Sequence, residues 1–238
     1  MAKLIVIDSG SQGNSYLLQC ENETLIIELG VSWKDILQSL NYDLSRISGA
    51  LCSHIHTDHS KSIINAIRHA VDVYSCQDVQ NTYKDVKVLQ KRKKTQIGGF
   101  KVQPIELQHS VECYGFLIEH EEFNKIVFAT DCNSIPYKFK NVNHFIVESN
   151  YSLDLMIDDM CDNVFSRSAS QNHMDVEDTI EFLKNNITSN CQSITLIHLS
   201  SQNADAKLFK QIVQDELSFY NVNIAKKGLV VELNKEEF

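Results

Sequence analysis

The run Ser53-His54-Ile55-His56-Thr57-Asp58-His59-Ser60 places three imidazoles and a carboxylate within six positions. Side chains of an extended segment alternate with a period of two, so His54 and His56 point the same way and can hold one metal ion between them. Asp58 and His59 fall where the chain turns into a helix and can aim at a second ion nearby. An isolated histidine is an ordinary surface or core residue. Four ligand-type side chains at this spacing, at the end of a strand, read as a metal site.

The elements that must position this run follow from the hydrophobic pattern. Ile47–Cys52 reads as a buried strand leading into it, and Ser60–Ala70 as the helix leaving it, with Ile63, Ile64 and Ile67 facing inward. Upstream, Lys3–Ile7, Tyr16–Gln19 and Leu25–Leu29 read as strands and Trp33–Leu40 as a helix. Downstream strands are expected at Lys101–Leu107, Gly115–Glu119, Lys125–Ala129, His144–Val147, Ser193–Leu196 and Gly228–Leu233, with helices at Val176–Lys184 and Ala204–Leu217. Strands and helices thus alternate in two halves, which predicts a layered α/β fold. With two prolines, scattered glycines and no internal repeat, the chain is expected to form a single domain over residues 1–238.

Composition excludes several classes. Hydrophobic content of 43% and charged content of 22% are globular and rule out disorder or a coiled coil. No apolar stretch approaches the ~20 residues of a membrane span. Only four apolar residues, Leu4–Ile7, precede Asp8, so a signal-peptide core is not expected and the predicted location is cytoplasmic. Seven cysteines, Cys161 among them, are odd in number and lack CxxC spacing; they read as small core residues in a reducing compartment. A net charge of −9 disfavours extended contact with a phosphate backbone. The one dense basic run, Lys91-Arg92-Lys93-Lys94, reads as a solvated loop, and His69 and His120 as surface residues.

The HxHxDH run resembles that of the metallo-β-lactamase superfamily, and further motifs extend the resemblance over nearly the whole chain. The glycine-rich opening is matched by Ser9–Ser15, the third-motif histidine by His109, the bridging aspartate by Asp131 and the last histidine by His198. The resemblance implies a four-layer αββα sandwich with the site at one edge. It also implies two adjacent ions, the first held by His54, His56, His109 and Asp131, the second by Asp58, His59, His198 and the same Asp131. Imidazole and carboxylate ligands without thiolate favour zinc, with manganese the chief rival. Ions about 3.5–4 Å apart can stabilise both the attacking and the leaving oxygen of a displacement. Glu28 stands where the superfamily usually has an aspartate that orients a ligand histidine.

Two segments are similar to those of the transfer-RNA-processing phosphodiesterase branch. Val147-Glu148-Ser149-Asn150-Tyr151 resembles its glutamate segment, and Asn172-His173-Met174-Asp175 its catalytic histidine loop. By that resemblance His173 protonates the leaving oxygen, Glu148 supports it, and Asp58 acts beside them. Within the branch the chain resembles both small exonuclease-like proteins of Gram-positive bacteria and phage-encoded anti-Pycsar phosphodiesterases. The short spacing between His109 and Asp131 leaves little room for an arm that grips transfer RNA. Together with the acidic charge, this favours a cyclic mononucleotide as substrate, opened from 3′,5′-cyclic phosphate to nucleoside monophosphate. A single-strand DNA or RNA exonuclease is the alternative, and a nucleotide-sequestering protein without turnover is the alternative from another class. The resemblance further implies a homodimer, with the polar segment Thr82–Gly99 near the partner's active site and no stable nucleic-acid or membrane partner.

Overall fold

The computed structural model describes residues 1–156, 172–218 and 220–233. Two seven-stranded sheets make up the centre. The first takes β1 (Ala2–Asp8), β2 (Ser15–Gln19), β3 (Thr24–Ile27), β4 (Ile47–Leu51), β5 (Val73–Ser75), β6 (Lys87–Val88) and β14 (Val230–Leu233), in the order β14-β1-β2-β3-β4-β5-β6. The second takes β7 (Thr95–Ile97), β8 (Phe100–Leu107), β9 (Cys113–His120), β10 (Asn124–Ala129), β11 (His144–Glu148), β12 (Ser193–Ile197) and β13 (Asn221–Ile224), in the order β13-β12-β11-β10-β9-β8-β7. Each sheet has an antiparallel and a parallel half. In the first, β3, β4, β5 and β6 run parallel; in the second, β10, β11, β12 and β13 do.

Period-two alternation builds the layers. On β10, Ile126 and Phe128 join the core cluster that also holds Leu17 and Leu18 of the opposite sheet, whereas Val127 and Ala129 join a second cluster. On β11, Ile146 faces the first cluster, while Phe145 and Val147 face the second. That second cluster includes Ile180 and Leu183 of α6 (Val176–Asn186) and Phe209 and Val213 of α7 (Ala206–Glu216). On the other side α1 (Trp33–Ser39) buries Trp33 and Ile36 against the first sheet. Each fully buried side chain of this size contributes roughly 1.5–3 kcal/mol. The fold is α/β with two mixed sheets flanked by helices, as the sequence predicts.

The helices start where their sequences provide a cap. The Asp175 carboxylate accepts from the Glu177 amide at the head of α6, and Asp205 accepts from the Lys207 and Leu208 amides at α7. After the metal-type run the chain does not form one helix over 60–70. It forms α2 (Thr57–Ser60) and α3 (Ile63–Arg68), broken where the Ser62 amide leaves the helical ladder to donate to Leu29 O and its hydroxyl to Val31 O. The break rotates the second piece: Ile63 and Ala66 are buried, and Ile64 is exposed, contrary to the sequence reading.

His120 corrects a second expectation. It is buried, not superficial, because it ties two hairpins together: Nε2 lies 3.3 Å from Glu23 Oε1, and Nδ1 lies 3.4 Å from Cys20 Sγ and 3.2 Å from the Glu122 amide. The Glu23 carboxylate reaches across to the Gly99 amide and the Ser48 hydroxyl. His69 is exposed beside Trp33. Six cysteines are buried free thiols; Cys161 lies outside the described residues. Among the described residues no helix is long and apolar enough to cross a membrane.

Candidate metal centre

The reactive side chains collect where parallel strands of both sheets end, the position at which open α/β sheets place their ligands. Glu28 follows β3, His54 to His59 follow β4, Asp131 follows β10, Glu148 closes β11 and His198 follows β12. His109 comes from the loop after β8, and His173 precedes α6. Glu28, Asp131 and His198 take left-handed backbone conformations, with φ of 66°, 52° and 54°. Non-glycine residues seldom adopt that region, and such strain collects at functional sites.

His54, His56 and His109 form one group of ligand atoms, and Asp58, His59, Asp131 and His198 a second, each within 4.8 Å. The rings of His54 and His59, 4.3 Å apart, join the two groups. In the first, His54 Nε2 and His109 Nε2 stand 2.9 and 3.2 Å from His56 Nδ1. The His109 Nδ1 proton goes to the carbonyl of Asn172, 3.2 Å away, so Nε2 presents a lone pair to the centre. The Ser53 hydroxyl is 2.8 Å from His54 Nδ1 and orients that ring likewise. Nitrogens bound tetrahedrally to one zinc at about 2.0–2.1 Å stand ~3.3 Å apart, so this set fits a divalent cation.

In the second group His59 Nε2 is 3.1 Å from Asp131 Oδ2 and 3.3 Å from Asp58 Oδ2. His198 Nδ1 is 3.5 Å from Asp131 Oδ2. Behind them Glu28, wholly buried, lies 3.2 Å from His59 Nδ1 and accepts from the Ser53 amide. The longer carboxylate therefore reaches His59. Asn14, unassigned from the sequence, proves to be the hub of this side. Its Nδ2 is 3.1 Å from His59 Nε2 and its Oδ1 3.1 Å from His198 Nδ1, while the same amide group also bonds the Gly10 backbone at both ends. The Asn14 amide donates to Asp58 O and the Gly30 amide to Asn14 O. At Gly30 an added Cβ would stand 1.6 Å from Asp58 O, so glycine is required by close approach. The Cys52 thiol donates to His54 O, fixing the loop from below.

A third group of ligand-type atoms joins Asp131 and His198 to Glu148 and His173. His173 Nδ1 is 2.6 Å from Glu148 Oε1 and 3.8 Å from Asp131 Oδ1, and its ring stacks on His198 with centroids 5.3 Å apart. Glu148 is wholly buried, and its other oxygen accepts from the Cys132 amide.

The electrostatics separate the histidines. Burial, reinforced by charge on His59, pushes His54 well below the ordinary range, and burial brings His109 down to about 4 against the pull of Asp131. Both stay neutral, the form that binds metal. For His59 burial acts in the same direction, but Asp131 and Glu28 outweigh it and raise its value well above the ordinary one. Asp131, which burial would raise, is held well below its usual range by His198 and His59. For His173 burial is again overcome, here by Glu148, and the value rises to about 9. The carboxylates Asp131, Glu28 and Glu148 thus favour positive charge beside them.

Two facing mixed sheets with imidazole and carboxylate clusters at one edge define the metallo-β-lactamase fold. The chain belongs to the beta-lactamase superfamily, whose domain description matches residues 33–198. Fold, family and ligand clusters together make it a metal-dependent hydrolase. It is 21% identical over 237 residues to the exodeoxyribonuclease WalJ of Streptococcus pneumoniae, covering 91% of this chain and 88% of that protein. Among solved structures it resembles the metallo-beta-lactamase fold protein YhfI of Bacillus subtilis, with a TM-score of 0.77 and 19% identity over 97% of this chain and 98% of that one. The short form of human tRNase Z matches with a TM-score of 0.70 and 13% identity over 97% and 99%.

Proposed function

We propose that the protein is a metal-dependent phosphodiesterase that cleaves nucleotide phosphodiester bonds at nucleic-acid ends. The observation that carries this is His173, bonded to buried Glu148 at the edge of the ligand clusters. An alkoxide leaving from phosphorus needs a proton, and a placed acid contributes ~10²–10⁴-fold. His54, His56 and His109 would hold one ion and Asp58, His59 and His198 the other, with Asp131 between. Ions held there would polarise phosphoryl oxygens and supply the nucleophile. Glu148 fixes the ring of His173 through Nδ1, which leaves Nε2 as the atom to donate, and Asn14 and Glu28 hold the His59 and His198 rings in place. Full-length similarity to an exodeoxyribonuclease favours polymer ends.

A cyclic mononucleotide is the second reading, favoured by the net charge of −9. Pure protein loaded with zinc or manganese and offered labelled oligonucleotides and the 3′,5′-cyclic forms of CMP, UMP, AMP and GMP decides between them. Turnover of none of these overturns the phosphodiesterase reading. The homodimer expected from the sequence, with the Thr82–Gly99 segment near the partner's active site, is proposed alongside; within the chain Lys91 pairs with Glu106 and Lys94 with Glu119. Light scattering showing a 27.1 kDa particle with full activity would remove it.

A further inference from the structure

Acidic residues outnumber basic ones, 31 to 22, yet one part of the surface, on the segment that follows Asp131, gathers cations without a carboxylate partner among the described residues. After Asp131 the chain runs through Pro136-Tyr137-Lys138-Phe139-Lys140-Asn141 in a zigzag: Tyr137 and Phe139 are half-buried, and Lys138 and Lys140 are exposed. The aromatics point inward because Phe139 packs edge-on against Phe182 of α6, centroids 6.2 Å apart. The backbone is pinned as well, with the Phe139 amide donating to Asn186 Oδ1 and Lys125 Nζ to Lys140 O. The lysines are thereby presented to solvent by a fixed segment.

Arg92 arrives from the basic run. It sits at a left-handed φ of 60°, and its amide donates to Pro104 O, which places it beside β8. Arg92, Lys138 and Lys140 line a cleft of about 390 Å³ with Tyr137 and Phe139 between them. Among the described residues none of these three cations has a carboxylate within 4.0 Å, unlike Lys91 and Lys94. A second cleft, of about 460 Å³, shares Tyr137 and Lys138 and continues to Asn133 and Met174. Asn133 lies two residues past Asp131, and Met174 follows His173. Asp178 and Glu181 on this inner cleft repel phosphate but can accept from the amino groups of bases.

We propose that the two adjoining clefts, which share Tyr137 and Lys138, are a track for single-stranded nucleic acid, which delivers a strand end towards His173 and Asp131. The inference rests on the phosphodiesterase reading. Cations spaced along a groove follow the phosphates, and aromatic faces between them stack unpaired bases without reading sequence. A duplex keeps its bases stacked and leaves such rings unused. In a chain of this acidity, three cations in one cleft with no carboxylate within 4.0 Å among the described residues give the complementary charge a strand needs.

The test uses the combined variant Arg92→Glu, Lys138→Glu, Lys140→Glu in the full chain, with its melting curve compared to wild type. A labelled oligothymidylate, followed by anisotropy, measures binding apart from turnover. The variant is expected to bind at least ~10-fold more weakly, and its salt slope to fall by about 2, at ~0.7 for each phosphate no longer neutralised on a single strand. Hydrolysis of bis(4-nitrophenyl) phosphate, which is too small to occupy the track, is expected to stay at the wild-type rate. Should the triple variant not fold, Lys138→Gln with Lys140→Gln gives the same readout at smaller amplitude. Unchanged oligonucleotide affinity and salt slope overturn the track. Wild-type protein that cleaves the small diester but neither binds nor cuts the oligonucleotide also overturns it, while leaving the phosphodiesterase reading intact. Lysine-dependent binding of an oligonucleotide that is never cut keeps the track and overturns cleavage at polymer ends.

Discussion

His173 Nδ1 lies 2.6 Å from Glu148 Oε1, and Glu148 has no exposed surface while His173 keeps one edge open. A buried carboxylate cannot relax away from its partner, so the ring is held in one orientation and its protonated form is favoured. Replacing His173 by alanine is expected to lower kcat by ~10²–10⁴-fold with both ions retained. Elemental analysis beside steady-state rates checks this, and loss of metal in the variant would show His173 to be a ligand.

Asp131 makes a different prediction. It stands within 3.8 Å of His59, His173 and His198, at a strained backbone position. Asp131→Ala should lose bound metal and activity together. Full metal occupancy with wild-type turnover would contradict its place between the two groups.

Asn14 touches both His59 and His198 and makes no use of solvent. Asn14→Ala leaves the Gly10 amide without its acceptor, while the Gly10 carbonyl keeps the Gly13 amide, a loss of about 1–3 kcal/mol. It also frees two ligand rings, for which metal affinity should fall ~10–100-fold. Denaturant midpoints and chelator competition measure the two effects separately.

Gly30 supplies a steric test. Its Cβ position is occupied by Asp58 O, so Gly30→Ala must displace the loop that carries Asp58 and His59. The cost should reach or exceed the ~1–3 kcal/mol of ordinary overpacking. A variant with wild-type melting and metal content would refute the close approach.

Glu23 gives a pH dependence far from the metal centre. Burial would raise its pKa, but the Ser48 hydroxyl, the Gly99 amide and His120 outweigh that and hold it below the usual carboxylate range. A group depressed in the folded state adds stability above its unfolded value, near ~4.3, and loses it as pH falls through the folded value. Glu23→Gln should therefore flatten the acid limb of stability while leaving the neutral limb parallel. An unchanged acid limb in melting curves would remove Glu23 from the linkage.

What the sequence made legible was what is local. His54 to His59 announce themselves through spacing, and the long strands β8 to β12 through apolar runs. His109, Asp131 and His198 are single residues in unremarkable loops and are reached through resemblance. Asn14 sits in the glycine-rich opening Ser9–Ser15, which is reached through resemblance, and nothing local marks its side chain as a hub. His120 looks superficial between two glutamates because its partner Glu23 comes from another hairpin. The short strands β5, β6, β7 and β13 escape the sequence reading, since pairing and not periodicity defines them. Arg92 joins Lys138 and Lys140 only through the fold.

The left-handed turns at Glu28, Asp131 and His198 have a consequence for how this edge can change. Each turn is a corner at which a strand stops and its side chain is fixed before the connecting segment begins. The corners are braced by backbone and buried partners such as Asn14 and the Ser53 amide, none of which belongs to the outer parts of those connections. Segments between corners can therefore lengthen, shorten or be exchanged without moving the ligand atoms. Hydrolytic chemistry and substrate choice are separately heritable in such an arrangement, and a new substrate can be acquired by grafting a connection onto an unaltered metal edge.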